Sequence, residues 1–246
     1  LSAELNEGKE YGYLNFSSVG SNILKNTNNL RSRIINDFDF KGFDLISKSG
    51  VQNNINIYVK NLIVSGKNDE DYNSSINTDL VSVLELSSAL PMIKNNDNFI
   101  NYLEPKISIR YNPSNMINHS KTNRKINNNN LFDINRLGLE DTLESGANLT
   151  LGIDYKKENL SDINEYFEFK LGTIIRNKDN TNIPISSGIK DKNSNIFGNI
   201  VKNFNENLAV NYDFSVNSSL DVIEYNSLGF LYSKNNFKTE FNFIEE

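Results

Sequence analysis

The sequence predicts an all-β fold: an antiparallel transmembrane β-barrel segment of about eleven strands. Three observations predict it. Period-two alternation of apolar and polar residues recurs from end to end, while helical periodicity is nearly absent. The alternating runs reach the roughly 9–11 residues of a membrane-crossing strand, past the roughly five to six usual in soluble sheets. The polar links between runs alternate long and short, the pattern of tight periplasmic turns opposite long extracellular loops.

Taken in order, the first clear run sets Ser32, Ile34, Phe38 and Phe40 against Arg31, Arg33, Asp37 and Asp39. Ile55, Ile57, Val59 and Ile63 then alternate with Asn54, Asn56, Tyr58 and Lys60. Leu103, Ile107, Ile109 and Tyr111 oppose Glu104, Lys106, Ser108 and Arg110. From Leu143 to Tyr155 one parity holds Leu143, Ala147, Leu149, Leu151, Ile153 and Tyr155. The other holds Glu144, Gly146, Asn148, Thr150, Gly152 and Asp154. Phe167, Phe169 and Leu171 oppose Glu168 and Lys170, and Leu208, Val210, Tyr212 and Phe214 continue the style. Pro91 and Pro105 remove ladder donors and predict irregular pairing where they stand.

The links read as Val19–Asn29 long, SKSG short, the DEDY-containing link long, PMIKNNDN short, and Pro113–Glu140 longest. KKENLSD is again short, 177–193 long and KNFNEN short, while a short NSS link near Ser218 breaks the pattern. Lys121, Arg124 and Lys125 lie in the longest link, which reads as a solvated surface loop. Deleting residues 120–127 is then expected to leave folding intact. If the alternating face is lipid-exposed, Leu149→Arg harms assembly while Thr150→Arg, facing a wet lumen, is accommodated.

Composition narrows the function. The 246-residue chain carries a net charge of −6, so no basic excess exists to neutralise nucleic-acid phosphates. It holds no cysteine, which removes disulfides, thiolate metal sites and a Cys nucleophile. Mean hydropathy is −0.50 and no apolar run approaches the ~20 residues of a spanning helix, a test that strands escape. The chain opens on Leu1 without an apolar leader, which suggests a piece of a longer precursor.

No catalytic constellation is visible, and no enzyme, cofactor or metal is expected. His119, the single histidine, reads as an exposed loop residue without a partner. Glu140, Asp141 and Glu144 raise a glycosidase-like carboxylate pair, but a structural role at a loop base is the stronger reading. The polar parity nominates Glu104, Lys106, Arg110, Asn148, Thr150, Glu168 and Lys170 as lumen-facing, although a solvated sheet face fits that parity equally well.

The stretch LEPKISIRYNP, the Asn-rich link and NNLFDINRLGLEDTLESGANLTLGIDY together resemble the LPS-assembly protein family, LptD. Further likeness lies in KNL at Lys60–Leu62, SSALP at Ser87–Pro91, IPISSGIKDKNSNIFGNI at Ile183–Ile200, and YDFSVNSSLDVIEYNSL at Tyr212–Leu228. The resemblance implies that residues 1–246 are the middle of a larger, C-terminal outer-membrane barrel, with an N-terminal jelly-roll and the closing strands outside them. It implies transport of lipopolysaccharide to the outer leaflet, an LptE-like lipoprotein plug, a periplasmic bridge protein delivering the lipid through the N-terminal domain, and contact with outer-membrane lipids. Carried over by position, Asn135, Arg136, Gly138, Asp141, Glu144 and Gly146 would organise the base of the largest loop. Two other readings compete: a porin or receptor-type outer-membrane barrel, and a soluble β-sandwich binding module.

Overall fold

The computed structural model describes residues 2–9, 11–26, 28–69 and 72–245. They form one antiparallel meander. Its strands are β1 (Ser2–Lys9), β2 (Gly12–Asn26), β3 (Asn29–Gly42), β4 (Leu45–Ile46), β5 (Gln52–Lys67), β6 (Asn77–Ala89) and β7 (Met92–Asn95). β8 (Phe99–Asn112), β9 (Gly146–Asn159), β10 (Tyr166–Arg176), β11 (Asn193–Asn205), β12 (Leu208–Val216), β13 (Ile223–Lys234) and β14 (Phe237–Glu245) complete it. Twelve strands follow one another as hydrogen-bonded neighbours, while the short β4 pairs β5 and β7 pairs β8. Among the described residues β1 and β14 are the two edges, and the sheet is not closed.

The alternation becomes two faces of opposite character. Leu86, Ile109, Leu149 and Ile175 face one another in a row across β6, β8, β9 and β10. The row beside it, on the other face, is Glu85, Arg110, Asn148 and Arg176. Ile109 is 52% exposed while Arg110 is only 3% exposed. A protein folded in water does the reverse. The bare apolar face continues through Ile57, Leu84, Leu151, Ile153, Leu228 and Phe230, all exposed. So large an apolar surface exceeds what a soluble monomer shows, and it is stable only against hydrocarbon. No helix of the described residues is long and apolar enough to cross a membrane; the strands do the crossing.

The largest core lies on the opposite face, under loops. Met116, Ile126, Leu131, Leu137 and Leu139 of the β8–β9 link join Ile183 and Ile189 of the β10–β11 link over Ile174 and Phe197 of the sheet. The sheet makes room with glycine. Gly152 and Gly172 are paired across β9 and β10. A Cβ on Gly172 would sit 2.2 Å from Leu131, and one on Gly152 would sit 2.7 Å from the Phe132 ring.

Two sequence readings are corrected, and a third in part. Residues 19–29 are not a long loop: β2 and β3 stay paired out to Asn26 and Asn29, because a small-residue run with Ile23, Leu24 and Leu30 is compatible with a strand. The long–short alternation therefore fails at its first link. The β9 strand begins at Gly146 rather than Leu143, since Gly146 adopts a φ of 90° that ends the ladder. Leu143 turns to the loop-covered face and packs on Val81 and Val83. The proline reading holds at Pro91 and fails at Pro105, through which β8 runs with an unbroken register against β9. Pro91 separates β6 from β7, which nevertheless keep a common register against β8, and the Leu90 N–H donates to the Pro105 carbonyl.

Candidate functional site

The β8–β9 link is held down by buried charge. Arg136 is 3% exposed and uses nearly its whole guanidinium fork. Its Nε donates to Glu144 Oε2 at 2.6 Å and its Nη2 to Oε1 at 2.7 Å. Nη2 also donates to Asn148 Oδ1 at 2.9 Å, and Nη1 to Thr150 Oγ1 at 2.9 Å and the Leu131 carbonyl at 3.2 Å. Arg176, reaching from β10, pairs with the same Glu144 and donates to the Ser145 carbonyl. Burial alone would raise the Glu144 carboxyl, but the Arg136 and Arg176 guanidiniums overcome it and hold the group down at about 2. Arg110 on β8 pairs with Glu85 on β6 and donates to the Phe132 carbonyl at 2.6 Å. Glu85 also accepts from Ser108 at 3.0 Å and Asn56 at 2.9 Å. The sheet thus presents a charged floor on which one loop is bolted.

The nominated loop-base residues distribute unevenly. Arg136, Glu144 and Gly146 meet in this network; Gly146 lies against Asn177 and Arg176. Asn135 and Gly138 form an adjoining turn, with the Gly138 N–H donating to the Asn135 carbonyl and Gly138 at a φ of 58°. Asp141 stands apart, where His119 Nε2 lies 2.8 Å from its Oδ1 and Nδ1 lies 3.1 Å from Thr122. The reading of His119 as an exposed, unpartnered residue is therefore wrong: the folded loop brings Asp141 to it across twenty-odd residues of chain.

Asn148, Thr150 and Arg110 lie directly beneath the loop and are buried. Glu104, Lys106, Glu168 and Lys170 share their face but lie toward the short turns, at the margin of the loop, where the Lys106 ammonium lies 4.8 Å from the Phe132 ring centroid and Asn128 donates to the Lys170 carbonyl. There Lys106 pairs with Asp154 at 2.7 Å and Lys170 with Glu168 at 3.7 Å. The longest link is not a solvated loop either. Ile126 is 5% exposed, the Ile185 N–H donates to the Ser120 carbonyl, and the Arg124 N–H donates to Ser186.

Sequence reasoning passed over Arg176, whose parity with Lys170 on the same strand was the available signal, and Glu85, whose face is set by its pairing with Arg110. It placed Gly152 on the polar parity without seeing that Gly152 and Gly172 make room for the loop. A cavity of about 790 Å³ remains beside the loop, with Asp39, Lys41, Asn56, Glu85 and Asp133 in its lining.

This arrangement, an apolar belt on one face and a charged, loop-covered surface on the other, separates lipid from water across one strand thickness. The sequence model of LPS transport system D, LptD, matches residues 55–244, from β5 into β14. The chain belongs to the LptD family. Among curated proteins none matches it. LptD-family chains are outer-membrane proteins of lipopolysaccharide transport and assembly, and the matched residues are of the C-terminal barrel part. The exposed apolar belt is the physical form that LptD membership takes in this chain.

Proposed function

We propose that residues 1–246 form the middle part of an LptD-type translocon barrel that inserts lipopolysaccharide into the outer leaflet of the outer membrane. The observation that carries this reading is the family match over a sheet whose two faces suit the two halves of the cargo. Acyl chains are accommodated along Leu86, Ile109 and Leu149, while a phosphorylated sugar needs the hydrated side. On this proposal an N-terminal jelly-roll domain receives the lipid from a periplasmic bridge protein, and an LptE-like lipoprotein fills the lumen left by the chain's own loop. Asn135, Arg136, Gly138, Asp141, Glu144 and Gly146 order that loop over Arg110, Asn148 and Thr150, which it buries, while Glu104, Lys106, Glu168 and Lys170 line the open part of the lumen.

Depletion of the protein in cells tests the role. Lipopolysaccharide is expected to accumulate at the inner membrane and in the periplasm while other outer-membrane barrels still assemble. Normal surface lipopolysaccharide after depletion would remove the transport reading and leave a porin or receptor barrel.

A further inference from the structure

We propose that the bare face carries, at its short-turn end, a binding row for anionic phospholipid headgroups built from Lys94, Lys157 and Lys202. Lys94 pairs with Asn101, Asn101 with Lys157, Lys157 with Phe167, and Phe167 with Lys202, so the residues form one transverse row over β7 to β11. Their parity is that of Ile109 and Leu151, so the lysines stand on the apolar face rather than among the buried charges. One strand lies between each lysine and the next, so they stand two strand spacings apart, about 10 Å.

Depth along the strand fixes where the row lies. Lys157 stands about ten residues from Ala147 on the same face of β9, the length of a membrane-crossing strand. It therefore meets the headgroup level of the periplasmic leaflet, with the belt of Leu151 and Ile153 above it. Aromatic rings mark the same level. The Lys157 ammonium lies 4.1 Å from the Phe99 ring centroid, the Lys202 ammonium lies 5.4 Å from Phe204, and Tyr155 and Phe167 stand 6.3 Å apart. Lys202 shares its charge with Glu165 at 3.6 Å, whereas the Lys157 ammonium rests on a ring rather than on a carboxylate.

In a chain of net charge −6, three lysines in one interfacial row run against the overall sign. An anionic glycerophosphate headgroup neutralises them without leaving the bilayer, which a zwitterionic headgroup does not. The occupant is thus an anionic phospholipid of the periplasmic leaflet.

The inference rests on the membrane orientation given above, and one set of measurements separates the two. The protein is reconstituted in nanodiscs of phosphatidylethanolamine containing spin-labelled phosphatidylglycerol or, in parallel, spin-labelled phosphatidylethanolamine. The motionally restricted lipid is then read by electron paramagnetic resonance. Phosphatidylglycerol is expected to be enriched at the protein, with about fivefold weaker selectivity for each exposed lysine removed. The preference should fall with salt. The Lys94→Gln, Lys157→Gln, Lys202→Gln triple variant should lose it, and the matching arginine variant should keep it. Equal selectivity in the glutamine variant, or none in the wild type, overturns the proposal. Because the chain has no cysteine, Leu151→Cys carries a single nitroxide. Lipid contact at Leu151 without headgroup preference would defeat the lysine row alone; no lipid contact there would defeat the membrane placement and the row with it.

Discussion

At the scale of single residues, Glu144 decides whether the long loop stays on the sheet. It is the shared acceptor of Arg136 and Arg176, and its side chain is 8% exposed. Glu144→Gln leaves two buried guanidiniums short of an anion, a loss of about 3–5 kcal/mol for breaking such a pair from one side. Limited trypsin digestion at Arg124 and Lys125 measures it, and the variant is expected to be cut faster while the barrel band survives. The same group sets a pH dependence. Its folded value of about 2 lies below the ordinary 4.5, so the charged carboxylate favours docking at every pH above 4.5. That contribution is lost as the pH falls from 4.5 through 2, and loop protection should decline over that window. In Glu144→Gln the decline should be absent; an unchanged acid profile would show that another group holds the loop.

At the scale of elements, strand faces and loop contacts replace loop lengths as the guide. Gly172 on β10 lies under Leu131, which is fully buried and has nowhere to move. Gly172→Ala overpacks this contact by about 1–3 kcal/mol. Hydrogen exchange in the 126–139 segment is expected to rise, with strand amides unchanged. The face test also shifts position. Thr150 is fully buried and accepts from Arg136, so Thr150→Arg would drive two guanidiniums together instead of hydrating one. The informative pair is Leu151 on the bare face and Asn211 on the loop-covered face, where Asp213 accepts from Asn211 at 2.6 Å. Leu151→Arg at the middle of the belt costs roughly 2–4 kcal/mol and should abolish heat-modifiable migration. Asn211→Arg can reach Asp213 and should assemble. Equal assembly of both variants would contradict a lipid-facing belt.

At the scale of the whole molecule, two interiors of opposite kind share one sheet. Facing lipid, the strands need only apolar surface, and nearly any combination of Ile, Leu, Val and Phe supplies it. Facing inward, they carry the charges Glu85, Arg110 and Arg176, which a loop must cover and neutralise. The chain therefore builds its most specific packing on the side that a membrane does not dictate. The longest links, 113–145 and 177–192, leave the same end of the sheet and fold back together over β9, β10 and β11. The polar face is thus covered by loops at one end of the sheet and charged at the turn end.

The sequence by itself determined the strands and their faces. Alternation at Leu149–Tyr155 or Phe167–Leu171 is a local, period-two property, and a one-residue slip would send every apolar side chain to the wrong side. The motif LFDINRLG with DTLESG likewise announced the family that the match over 55–244 establishes. What only the tertiary structure decided is where the irregular chain goes. Nothing local distinguishes residues 113–145 as a docked loop from the same residues in solvent, because their partners lie on other elements: Glu144 meets Arg176, Leu143 meets Val83, His119 meets Asp141 and Leu131 meets Gly172. Those contacts depend on strand order and register, which bring distant residues within bonding distance only after the sheet exists. The turn joining β2 to β3 was misread for the same reason, since a polar run becomes strand when its neighbour supplies the ladder.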